Sequence, residues 1–159
     1  MRIDTTELPT TEVGTQKPAA RAPSAGHGAL DCPLSVVVLD DNAEVRGMLV
    51  AALRESGCAA VSALGYESVR GLLDSRPFDA AVIDLVMPSK NGLDVLKELR
   101  SMKYGADMAA VIMNVLPAGK TRDRLVQDVH DLGGAEVLDK PVTSTTLLAA
   151  LRRLVPSKS

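Results

Sequence analysis

From residue 34 onward, short apolar runs alternate with stretches whose apolar residues recur every three or four positions. LSVVVL (34–39), CAAVSA (58–63), DAAVID (79–84), AAVIM (109–113) and AEVLD (135–139) are too short for helices and read as strands. AEVRGMLVAALRES (43–56) follows Asn42, a good helix cap. It places Val45, Leu49 and Ala52 on one face and meets Gly57 at its end. YESVRGLLDSR (66–76) turns Val69, Leu72 and Leu73 inward and stops before Pro77. GLDVLKELRSM (92–102) carries Leu93, Leu96 and Leu99. KTRDRLVQDVHDL (120–132) carries Leu125, Val129 and Leu132 and is closed by Gly133 and Gly134. Thr143 or Ser144 caps a last helix with Leu147, Leu151 and Leu154 inward. Five strands alternating with five helices imply parallel βαβ units. Strands rich in Val, Ile and Ala suit a sheet covered on both faces. Right-handed crossovers then build a three-layer α/β sandwich. No internal repeat is visible.

Residues 1–33 break the pattern. Pro, Thr, Ser, Ala and Gly dominate, with no aromatic residue and no apolar periodicity. Such a segment cannot bury enough surface to offset its ordering entropy, so a disordered N-terminal tail is expected. It has neither the basic start nor the continuous apolar stretch of a secretion signal.

Composition narrows the function. The net charge of −2 argues against a duplex-binding surface, which needs a clustered basic face. Phe78, Tyr66 and Tyr104 are the only aromatic residues, too few for a base-stacking platform. No apolar run is long enough to span a bilayer. Cys32 and Cys58 lie in no CxxC pair and read as reduced thiols, which fits a cytoplasmic protein. His27 falls in the tail and His130 on the charged side of a helix, so a histidine metal site is not expected.

Ligands of parallel α/β sheets bind beyond the carboxyl ends of the strands. Here the first strand ends in Asp40-Asp41, the third in Asp84 and the fifth in Lys140-Pro141. Converging carboxylates repel one another unless a cation sits among them. An oxygen-rich, partly hydrated site suits Mg²⁺. A lysine beside it can hold a phosphate as a point charge. Together these residues describe a phosphoryl-transfer site, where positioning and charge neutralisation do most of the work. Acidic residues also follow strands as plain turn formers, but that reading explains one of them better than all four.

VVVLDDN, AVIDLVMPSKNGLDVLKELR and VLDKP resemble, in order and spacing, the receiver domain of bacterial two-component response regulators. The resemblance covers residues 34–155. It implies a flavodoxin-like, doubly wound five-stranded parallel sheet in the order 2-1-3-4-5, with a receiver domain over 34–156. It makes Asp84 the phosphoacceptor, loaded from a phosphohistidine on a sensor histidine kinase or histidine phosphotransfer protein. Mg²⁺ would be held by Asp41, Asp84, the backbone carbonyl of Val86 and, partly through water, Asp40. Lys140 would contact Asp84 when empty and the phosphoryl oxygens when loaded. Pro141 would follow a cis peptide. Met87-Pro88 and Gly92 shape the next loop, where ordinary turn chemistry explains them equally well.

The departures are as informative. Receivers place Thr or Ser at the end of the fourth strand. An ungapped count puts Asn114 there, and one inserted residue puts Val115 there instead. The ungapped count is preferred, because the alternative buries an amide in a core strand at a cost of about 1–3 kcal/mol if unpaired. The aromatic position three residues before the lysine holds Val137. VLPAGKTRDR (115–124) is longer than the family leads one to expect, so order in that segment, or binding at the helix 4/strand 5/helix 5 face, could replace the usual hydroxyl–aromatic coupling. The sequence ends soon after the last helix, so no output domain is expected and a signal would leave by protein contact. A receiver-fold interaction module working without phosphorylation is the alternative. An aspartyl phosphatase would need a second acid where Val86 stands. A nucleotide-binding flavodoxin-like enzyme would need a glycine- or hydroxyl-rich first loop, which LDDNAEV does not provide.

Overall fold

The computed structural model describes residues 34–155. The expected tail, with Cys32 and His27, lies outside them. The elements alternate as β1 (Ser35–Leu39), α1 (Ala43–Glu55), β2 (Ala59–Ala63), α2 (Tyr66–Ser75), β3 (Ala80–Asp84), α3 (Gly92–Leu99), β4 (Ala109–Asn114), α4 (Lys120–Leu132), β5 (Ala135–Asp139) and α5 (Ser144–Leu154). All strand pairs are parallel, and the sheet order is β2-β1-β3-β4-β5. The flavodoxin-like sheet expected above is therefore the one observed.

Strand alternation divides the core into two layers. Val37, Leu39, Ala81, Ile83, Ala110 and Ile112 pack beneath α2, α3 and α4. Val36, Val38, Ala80, Val82, Val111 and Met113 pack beneath α1 and α5. β1, β3 and β4 are almost wholly buried, as central strands of a parallel sheet must be. β5 is an edge strand and only half-buried. No helix among the described residues is long and apolar enough to cross a membrane.

Three local expectations change. The buried residues of α1 are Leu49, Val50 and Leu53, while Val45 and Ala52 are only half-buried. The contact stripe lies about one residue further round than the chosen spacing placed it, because α1 packs on the sheet and on α5 together. β4 runs one residue further than predicted and includes Asn114. α3 ends at Leu99 rather than Met102. There Gly105 folds back so tightly on the Leu99 carbonyl that a Cβ would collide with it. Arg100 sends its guanidinium to the carbonyl oxygens of Gly105 (2.8 Å), Met108 (2.6 Å) and Gly133 (2.8 Å). One cation thus satisfies three backbone carbonyls from two connections, α3–β4 and α4–β5. At α5, Thr143 is the cap, in a reciprocal hydrogen-bonded pair with Thr146.

Candidate functional site

The carboxyl ends of β1, β3 and β5 bring Asp40, Asp41, Asp84 and Lys140 together. Asp40 is fully buried and Asp84 is 4% exposed, while Asp41 faces solvent. The loop carrying the first two acids is pinned from several directions. Asp40 Oδ1 accepts the Asn42 N–H at 2.9 Å, and the Asp40 carbonyl accepts the Arg46 guanidinium at 2.6 Å. Asn42 Oδ1 caps α1 by accepting the N–H groups of Glu44 (2.9 Å) and Val45 (3.1 Å).

The Lys140 ammonium donates to Asp84 Oδ1 at 2.9 Å and lies 3.6 Å from Asp40 Oδ2. One oxygen from each of the three aspartates lies within 4.8 Å of the others. Burial pushes the Asp84 carboxyl above its usual range, and repulsion from Asp40 and Asp41 adds to that, while Lys140 opposes it. Burial works against the Lys140 charge, but Asp84 and Asp40 outweigh it and hold its pKa above the ordinary lysine value. Lys140-Pro141 is cis.

Gly92 sits directly under the carboxyl end of β3. A Cβ there would collide with the Asp84 carbonyl oxygen and come within 2.9 Å of the Leu85 Cα. Its N–H donates to the Leu85 carbonyl at 2.8 Å. Close packing therefore explains this glycine better than turn chemistry alone. Val86, two residues past Asp84, is 56% exposed. The same loop is steadied by Lys90, which pairs with Glu98 at 2.6 Å and lies 4.5 Å above the Tyr66 ring.

Across the pocket, Asn114 is fully buried at the end of β4, and Val115 is 56% exposed in the following loop. Burial of the amide, held above to be a cost, carries none here because every polar group is used. Asn114 Nδ2 donates to Leu116 O (3.1 Å) and Asp139 Oδ1 (3.0 Å), and its Oδ1 accepts the Leu116 N–H (2.9 Å). Asp139, its register partner on β5, also receives a two-pronged guanidinium bond from Arg122 on α4 (3.1 and 2.7 Å). Arg122 and then Asn114 hold the Asp139 carboxyl below the usual range. Val137 pairs with Ile112 and packs, half-buried, against the α2–α3–α4 layer. Sequence reasoning missed Asp139 and Arg122. Asp139 had a signal in its place beside Lys140, whereas Arg122 had none, since seventeen residues separate the pair.

The donor set fits Mg²⁺. It consists of hard carboxylate oxygens in excess over one ammonium, and the buried Asp40 Oδ2 accepts no hydrogen bond.

Fold and site together define a doubly wound α/β domain with an acidic pocket and a lysine at its strand ends. The family model for the response regulator receiver domain matches residues 36–152, and the chain belongs to that family, whose members act in two-component signalling. It is 35% identical over 122 residues to the transcriptional regulatory protein FixJ of Azorhizobium caulinodans, covering 75% of this chain and 54% of that one. It is 32% identical over 135 residues to the sensory/regulatory protein RpfC of Xanthomonas campestris, covering 85% of this chain and 18% of that one. The chain thus spans about half or less of the length of these curated relatives. Among solved structures, a response regulator receiver protein from Pseudomonas putida aligns with TM-score 0.65 and 29% identity over 78% of this chain and 99% of that one. Chemotaxis protein CheY4 of Vibrio cholerae shares the fold, with TM-score 0.69 at 21% identity over 78% of this chain and all of that one.

Proposed function

We propose that this receiver accepts a phosphoryl group on Asp84 from a phosphohistidine of a sensor histidine kinase or histidine phosphotransfer protein. The observation that carries the reading is the 2.9 Å contact of Lys140 with Asp84 inside a cluster of three carboxylates. An Asp84 oxygen attacks phosphorus, a P–O bond forms, and the P–N bond breaks with its electron pair going to the imidazole. Lys140, already at that oxygen, supplies the positive charge that the arriving phosphoryl oxygens need. Asp40, Asp41, Asp84 and the Val86 carbonyl are the groups that would hold Mg²⁺, which when bound neutralises charge on the transferring oxygens.

The signal leaves by protein contact at the α4–β5–α5 face, in the cytoplasm. That face carries the Arg122–Asp139 pair and the Arg153–Glu136 pair, the latter held at 2.6 and 2.9 Å. Incubation with acetyl phosphate and Mg²⁺, followed by intact mass, tests the reading. A gain of one phosphoryl group that disappears in Asp84→Asn supports it, and no gain in the wild type overturns it.

A second reading, an interaction module that works unphosphorylated, draws support from Asn114 and Val137 at the two positions where receivers carry a hydroxyl and an aromatic ring. It predicts the same partner affinity for loaded protein, empty protein and Asp84→Asn.

A further inference from the structure

We propose that Asn114, Asp139 and Arg122 form a polar latch that reports the state of Asp84 to helix α4: closed while Asp84 is empty, opened when it carries phosphate. The proposal rests on the phosphoacceptor reading above.

The geometry puts the three residues in series with the pocket. The Asn114 carbonyl accepts the Lys140 N–H at 2.8 Å, so the residue whose ammonium grips Asp84 hangs by its main chain from Asn114. The Asn114 side chain then bonds Asp139, and Asp139 bonds Arg122 in the first turns of α4. A path of direct contacts therefore runs from the phosphoacceptor to the helix without using Val137.

Hydrogen-bond capacity makes this path two-state. An amide has two N–H donors, and both of those on Asn114 are already spent on Leu116 O and Asp139 Oδ1. It can donate to a phosphoryl oxygen only by giving one of them up. Phosphorylation turns the Asp84 carboxylate into an acyl phosphate, with about one more negative charge and three strong acceptor oxygens, and it also draws Lys140 outward. Either change pulls on Asn114. Once Asn114 turns away, Asp139 keeps only its more exposed bond to Arg122, where ion pairs contribute little.

Helix α4 is the element best suited to respond. Only Leu125 and Val129 of its thirteen residues are buried, and Gly119 at its start offers no capping side chain. With so little apolar anchorage, even the modest hold of the fork from Arg122 to Asp139 matters for its first two turns.

The test uses the full chain, empty and after treatment with acetyl phosphate and Mg²⁺, with intact mass recorded on the same samples. Amide hydrogen exchange is read across residues 115–132 and, in ¹⁵N-labelled protein, the Asn114 side-chain amide and Arg122 Nε–H resonances are followed. Loading should shift both side-chain resonances and speed exchange over the start of α4 by a factor of a few, the size expected when an exposed ion pair loses its support. Asp139→Ala should show the fast exchange without phosphate while still gaining the phosphoryl group. Arg122→Ala, a change on the helix surface, should do the same if Asp139→Ala fails to fold. Arg122→Lys should restore part of the protection, because it keeps the charge and loses the fork. A phosphoryl gain with unchanged resonances and exchange overturns the latch and leaves the phosphoacceptor reading standing. Variants that gain phosphate but keep the slow exchange of empty wild type also overturn it. No phosphoryl gain in the wild type overturns the phosphoacceptor reading and the latch with it.

Discussion

Asp84 and Asp139 end two strands of the same sheet, β3 and β5, with β4 between them, yet their surroundings are opposite. Asp84 is buried among two other carboxylates with one ammonium, and its pKa is pushed up. Asp139 is more exposed, receives a guanidinium fork and an amide, and its pKa is pulled down. The first site is electrostatically unfinished: it has more negative charge than the protein itself neutralises, which suits a cation. The second is complete as it stands, with each bond accounted for within the chain.

The sharpest way to break this contrast is to remove each half in turn. Asp84→Asn should abolish phosphoryl gain from acetyl phosphate, and Lys140→Ala should slow it by about 10²-fold, as loss of one positioned charge-stabilising group does; intact mass against time measures both. Asp139→Asn should leave that rate nearly unchanged. Equal losses in Asp84→Asn and Asp139→Asn would erase the distinction.

Next in size is Gly92→Ala. The added methyl meets backbone on the Asp84 strand, which cannot give way as a side-chain tip can, so a loss of about 1–3 kcal/mol is expected in urea denaturation. Wild-type stability in this variant would show that the Asp84 strand end is looser than the contrast requires.

Val86→Asn should shorten the lifetime of the phosphorylated protein by a factor of a few. Valine cannot orient an attacking water and asparagine can. The decay of the mass gain after removal of acetyl phosphate checks this, and equal lifetimes remove the idea.

The smallest effects are in pH-dependent stability, and their signs are opposite. Asp84 has a raised folded pKa. Its contribution is fully present below the unfolded value of about 3.9 and is lost as pH rises through the folded value. Asp84→Asn should therefore be more stable than wild type at neutral pH, with the advantage vanishing toward about pH 3. Asp139 has a lowered folded pKa. Its contribution is present above about 3.9 and is lost as pH falls through the folded value. Asp139→Asn should be less stable than wild type at neutral pH and converge with it in acid. Denaturation midpoints across that range decide it, and shifts of the same sign in both variants would contradict the comparison.

Much of this was legible along the chain. The strand runs, the periodicities of α2, α4 and α5 and the caps at Asn42 and Thr143 are local signals, set by residues within a few positions of one another. The acids at 40, 41 and 84 and the lysine at 140 were readable because parallel strands deliver their carboxyl ends to one edge whatever lies between them. The misplaced features depend on distant partners. The end of α3 goes with Gly105 folding back on Leu99 and with Arg100 reaching Gly133, thirty-three residues on, and the stripe of α1 with how that helix meets α5. Burial of Asn114 looked costly because its partners, Asp139 and the Leu116 backbone, were not visible as partners.

What the chain determined by itself is the alternation of strands and helices and the set of charged groups delivered to one end of the sheet. Periodicity and capping are short-range, and parallel topology does the rest. What only the tertiary structure decided is which of those groups are satisfied. A hydrogen bond needs its donor and acceptor within about 3 Å, and residues far apart in sequence reach that distance only once the sheet and its helices have packed.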